Sequence, residues 1–150
     1  MKTCKLPLVA LFCALSAVPL GVAAAEDFTI TVPVSVSNLR AEATGVNVTC
    51  LAGIAPISSD TNASIGYSGR VSAGAPDAAG NLTSNVVVKF NARTGQDPAR
   101  ATHYWCFLMI VGPGGGAHLP ISSDTTGNFA WATAKSGTTL IKEVRGTLPQ

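Results

Sequence analysis

From Asp27 to Ser37 the chain alternates without a break, with Phe28, Ile30, Val32, Val34 and Val36 on one side and Thr29, Thr31, Pro33, Ser35 and Ser37 on the other. A period of two sends successive side chains to opposite faces of an extended strand, so this segment reads as a half-buried β-strand. Pro33 has no N–H to give to a ladder, which places the strand at a sheet edge. No later segment sustains the 3.6-residue period of a helix. The abundance of Val, Thr, Ser, Gly and Ala is that of strands joined by turns.

Further strands are expected at Gly45 to Leu51, where Val46, Val48 and Cys50 share one face, at Ser64 to Val71, and at Asn85 to Arg93, where Val86, Val88 and Phe90 face opposite Val87 and Lys89. Ala101 to Val111 is apolar on both faces, with Tyr104, Cys106, Leu108 and Ile110 on one and Trp105, Phe107, Met109 and Val111 on the other. That is the pattern of a central strand covered on both sides. The second face then needs a cover of its own, either a loop, the N-terminal strand or a partner, and its four residues are the candidate interface. Asn128 to Ala134 and Thr138 to Arg145 read as closing strands. About seven short strands with frequent turn signals predict a single all-β domain, an antiparallel β-sandwich, with a closed barrel as the alternative.

The N-terminus carries a different signal. Lys2 and Lys5 precede an uncharged stretch from Leu6 to Ala25, which ends in Val22-Ala23-Ala24-Ala25 ahead of Glu26 and Asp27. This order is that of a cleavable secretory signal over residues 1–25, leaving a domain at 26–150. A retained anchor is the other reading of so long an apolar stretch, but Pro7, Pro19 and Gly21 interrupt it. Lipidation at Cys13 is disfavoured by bulky Leu11 and Phe12 in front of it. The short signal suggests a bacterial, secreted or periplasmic protein with no stable membrane insertion after cleavage. Losing Lys2 and Lys5 leaves eight basic residues against eight acidic ones, so no basic surface argues for nucleic acid.

Cys4 and Cys13 leave with the signal, and Cys50 and Cys106 remain. Two cysteines in an exported chain are expected to pair. Together with Tyr104-Trp105-Cys106, in which a tyrosine lies two positions before the second cysteine, the spacing and strand count look like an immunoglobulin-type sandwich. That resemblance implies a bridge between central strands of opposite sheets.

The hexapeptide Pro56-Ile57-Ser58-Ser59-Asp60-Thr61 recurs unchanged as Pro120-Ile121-Ser122-Ser123-Asp124-Thr125, each copy after a cysteine-bearing strand. Ser, Asp and Thr bond readily to nearby backbone amides, so turn chemistry is the first reading. The functional reading makes Ser58, Ser59, Asp60, Ser122, Ser123 and Asp124 ligand loops for a polar molecule such as a sugar. It places both loops at one end of the sandwich, which follows if the two cysteine strands face each other and run the same way.

Catalytic and metal constellations find little footing. The only histidines are His103 and His118, and no serine stands in a nucleophile-elbow glycine pattern. Cys106, Met109 and His118 have the residue types of a copper site in the wrong order, and paired zinc spacings are missing. No cofactor is expected. The leading expectation is an exported, non-enzymatic binding or structural module with a protein or carbohydrate partner. The alternatives are a surface-filament or adhesin subunit that self-assembles by adding Phe28 to Val36 to a neighbour, and a secreted hydrolase of unrecognised type.

Overall fold

The computed structural model describes residues 25–57, 64–120, 130–132 and 143–149. The export segment and most of both hexapeptides, including Ser58, Ser59, Asp60, Ser122, Ser123 and Asp124, lie outside them. The described chain is antiparallel β-structure with three short 3-10 turns and no α-helix. Its strands are β1 (Phe28–Val36), β2 (Gly45–Gly53), β3 (Gly66–Tyr67), β4 (Val71–Gly74), β5 (Leu82–Phe90), β6 (His103–Val111), β7 (Ala117–His118) and β8 (Glu143–Thr147).

β1 and β5 form a two-stranded sheet in unbroken register from Phe28 opposite Phe90 to Val36 opposite Leu82. The alternation of β1 becomes alternating burial, with its Phe, Ile and Val side chains inward and Thr29, Thr31, Pro33 and Ser35 outward. Each inward side chain contributes about 1.5–3 kcal/mol relative to exposure. Both ends of the pair are pinned by side chains. The Asp27 carboxylate accepts from the Ala92 N–H at 2.8 Å, and the Asn81 side-chain oxygen accepts from the Asn38 N–H at 3.1 Å.

The larger sheet is built on β2 and β6, paired from Gly45 opposite Val111 to Gly53 opposite His103. β3 and β4 flank β2, while β8 and β7 flank β6. The inner faces of the two sheets share one hydrophobic cluster: the β1 residues meet Val86, Val88 and Phe90 of β5, Val46, Val48, Cys50 and Ala52 of β2, and Cys106, Leu108 and Ile110 of β6. The sheets also touch along one side. Gly66 makes an isolated bridge to Ala92, the Arg93 N–H reaches the Ile65 carbonyl, and Ser84 Oγ donates to the Ala73 carbonyl of β4.

Cys50 and Cys106 form the expected disulfide, but it does not join two sheets. The cysteines stand directly opposite each other on neighbouring antiparallel strands of one sheet, with Cα atoms 4.0 Å apart. A two-sided apolar strand such as β6 needs hydrogen-bonded neighbours as much as it needs facing side chains, and β2 is one of them. The segment Ser64 to Val71 is not one strand. Gly69, at φ +69°, breaks it, and Ser68 Oγ takes the Cys50 N–H at 2.9 Å, standing in for a ladder carbonyl. Within Asn128 to Ala134, the described Ala130–Ala132 is a 3-10 turn, which lays the Trp131 indole over Gly112 where no Cβ could fit. Of the expected strand Thr138 to Arg145, residues 138–142 lie outside the described residues, and the described part belongs to β8, which runs on to Thr147.

Candidate docking face

Residues opposite each other in an antiparallel register present their side chains on the same side of the sheet. On the outer side of the larger sheet, register therefore aligns Tyr67, Leu51, Trp105 and Arg145 in a row across four strands. The next row holds Thr49, Phe107 and Glu143, and beyond it Asn47 stands opposite Met109 and Gly45 opposite Val111. All four candidate interface residues, Trp105, Phe107, Met109 and Val111, thus share this face, and each is partly exposed. Tyr67 is 43 % exposed beside them.

The face has a buried floor. Leu51 and Thr49 are fully covered, and Ile57 folds back over Gly53, where a Cβ would lie 3.0 Å from its Cγ1. Thr49 Oγ1 has no hydrogen-bond partner among the described residues, a state that costs about 1–3 kcal/mol.

Trp105 is held from several directions. Its ring lies 5.0 Å from that of Phe107 at a 42° tilt, and the Arg145 guanidinium stands 5.0 Å over it, in the range of a cation–π contact. Its indole N–H donates to Glu143 Oε2 at 2.9 Å. Arg145 donates through Nη2 to the same oxygen at 3.1 Å and through Nη1 to the Ile57 carbonyl at 2.9 Å. The Arg145 hydrogen bond lowers the Glu143 pKa below the ordinary glutamate value, opposed in part by burial and aided by the Trp105 N–H. The pair is about half exposed, so water screens it.

The outer side of the small sheet contrasts with this. Thr29, Thr31, Pro33 and Ser35 lie beside Lys89, Val87, Asn85 and Thr83, a surface rich in hydroxyl and amide groups.

The cysteine strands β2 and β6 run in opposite directions, so the condition from which co-location of the two hexapeptide loops would follow is not met, while the loop residues themselves lie outside the described residues. β2 ends next to the start of β6 at His103, and β7 pairs at the far end of β6. The histidines do not share a site either. His118 stands opposite Ile110, seven residues along β6 from His103, or about 23 Å at a strand's rise. His103 Nδ1 is 2.8 Å from Thr102 Oγ1, and His118 Nδ1 is 2.8 Å from the Leu119 carbonyl oxygen. Among the described residues, no three His, Cys, Asp or Glu side chains come together as metal ligands. No helix among them is long and apolar enough to cross a membrane.

Sequence reasoning placed the four apolar residues of β6 on one face but missed Leu51, Tyr67, Glu143 and Arg145 around them. Register alone brings these together, and no local pattern announces it. The chain matches no protein-family model, no curated protein and no solved structure.

Proposed function

We propose that this is an extracytoplasmic, non-enzymatic binding module that docks a protein partner through the outer face of its larger sheet. The two sheets are read as layers of a β-sandwich, supported by the single core cluster between them. The intrasheet disulfide supports an oxidising compartment. The observation that carries the docking reading is the difference between the two outer surfaces. One is hydroxyl-rich, and the other gathers partly exposed Trp105, Phe107, Met109 and Val111 with Tyr67 at its margin. Aromatic residues and Met are enriched where proteins meet, and a Trp held by Arg and Glu is pre-ordered for contact.

Met109→Ser and Trp105→Ser test the reading. Retention of partners from the native extracytoplasmic fraction falls for both, and Met109→Ser leaves the melting temperature unchanged. Trp105→Ser also lowers melting modestly, since it loses the Arg145 and Glu143 contacts. A collapse of melting in Met109→Ser, or unchanged retention, assigns the face to covered core. Assembly by donation of Phe28 to Val36 to a neighbour is supported less, since β1 is paired along its whole length within its own chain.

A further inference from the structure

We infer that Pro33 guards the open edge of β1 and keeps two copies of this chain from joining their small sheets edge to edge. β1 pairs with β5 through nine residues without a shift, and Pro33 stands opposite Asn85 in the middle. In an antiparallel ladder, alternate residues turn N–H and C=O toward the partner, and those between turn them away. A residue with no N–H fits an unbroken ladder at the second kind of position. The continuation of β5 agrees with this phase. The Ala92 N–H, two residues past Phe90, turns toward β1 and meets the Asp27 carboxylate, while the Arg93 N–H turns the other way to the Ile65 carbonyl; just before β1, the Asp27 N–H is taken by the Asn91 side-chain oxygen. Phe28, Ile30, Val32, Val34 and Val36 therefore bond to β5. Thr29, Thr31, Pro33 and Ser35 present their backbone groups to the opposite edge.

No strand among the described residues pairs with that edge. At its beginning a cleft of about 520 Å³ separates Asp27–Thr29 from Pro98, Ala99, Leu148 and Pro149, so these segments do not pair with it. An open edge is a template for another strand, and proteins blunt it with charge, bulges, covers or proline. β1 has no charged side chain, no bulge and strong β-formers at most positions, so Pro33 is the device it carries. A second copy of β1 laid antiparallel on this edge would find at its centre a missing donor and a ring where a hydrogen bond belongs. The inference rests on ladder phase and does not depend on the docking face.

Pro33→Thr, which places at this position the residue type already at Thr29 and Thr31, tests it in the purified, oxidised protein. The variant is expected to keep the wild-type circular dichroism and to sediment at about twice the wild-type mass, as a two-fold pair. Amide exchange at Thr29 and Thr31 is expected to slow by about tenfold or more on assembly. Adding Thr31→Pro restores a proline of the same phase two residues away, and the wild-type mass should return. A Pro33→Thr protein that precipitates while the double variant stays folded at wild-type mass also supports the guard. Sedimentation like wild type, or assembly that leaves Thr29 and Thr31 exchanging freely, overturns it. So does loss of the folded spectrum in both variants, which would assign Pro33 to folding of the chain itself.

Discussion

Cys50 and Cys106 face each other across one ladder, each buried in the core and each flanked by hydrogen-bonded pairs of β2 and β6. The link closes a 56-residue separation that includes β3, β4 and β5. In the chain-entropy picture such a loop is worth about 4 kcal/mol, most of it through the denatured state. Its position in the ladder adds a second effect: a slip of one residue would turn every β6 side chain to the wrong face, and the bridge forbids that slip.

Replacing both cysteines with Ala should therefore lower the unfolding free energy by about 3–5 kcal/mol in urea titration. If the double variant folds, the Phe107 and Met109 amides, which turn toward β2, stay protected, because the register is also set by burial. A loss below about 1 kcal/mol would show that the bridge adds little to what the ladder fixes.

Gly146 stands opposite Tyr104, and a Cβ on it would lie 2.6 Å from both the ring Cε1 and the hydroxyl oxygen. The tyrosine lies flat over the glycine and shields this part of the sheet. Gly146→Ala should cost about 1–3 kcal/mol by thermal or urea unfolding, from overpacking. Tyr104→Phe would not relieve it, since the ring carbon clashes as well, whereas Tyr104→Ala in the same chain should recover part of the loss. Additive effects of the two changes would count against the contact.

Glu143 is held ionised by Arg145 and by the Trp105 N–H, so its folded pKa lies below its unfolded one. The stabilisation this gives is present above the unfolded pKa and is lost as pH falls through the depressed folded value. A Glu143→Gln variant should thus lose some stability at neutral pH and show a flatter decline below about pH 4.5 than the wild type. Because both partners are about half exposed, the difference should be small and should shrink in high salt. Identical pH profiles for the two proteins would dismiss the ionic contribution.

Much of the fold was legible because β1 and β5 write their burial into a two-residue period, and because β6, apolar on both faces, reads as a central strand. Strand phase needs only local pattern, and Pro33 placed β1 at an edge for a local reason. The break at Ser68–Gly69 was not legible, because a serine side chain doing a carbonyl's work leaves the pattern of β-branched neighbours intact. Which strands are neighbours is a long-range fact. The spacing of Cys50 and Cys106 fits a bridge between sheets as readily as one within a sheet, and only the pairing of β2 with β6 decides. The candidate docking face was half legible for the same reason: Trp105 to Val111 lie on one strand, but Glu143 and Arg145 reach Trp105 from 38 and 40 positions away.

The pairing order also sets a timetable for the nascent chain. The first strand has to wait for Phe90 to emerge before its own Phe28 finds a counterpart, and β6 cannot complete its outer neighbour until Thr147 has been made. With so little of the ladder closed between adjacent segments, folding must proceed through distant encounters, which are slow and leave apolar strands uncovered for longer. A chain of this layout gains from being held unfolded until β8 has been made.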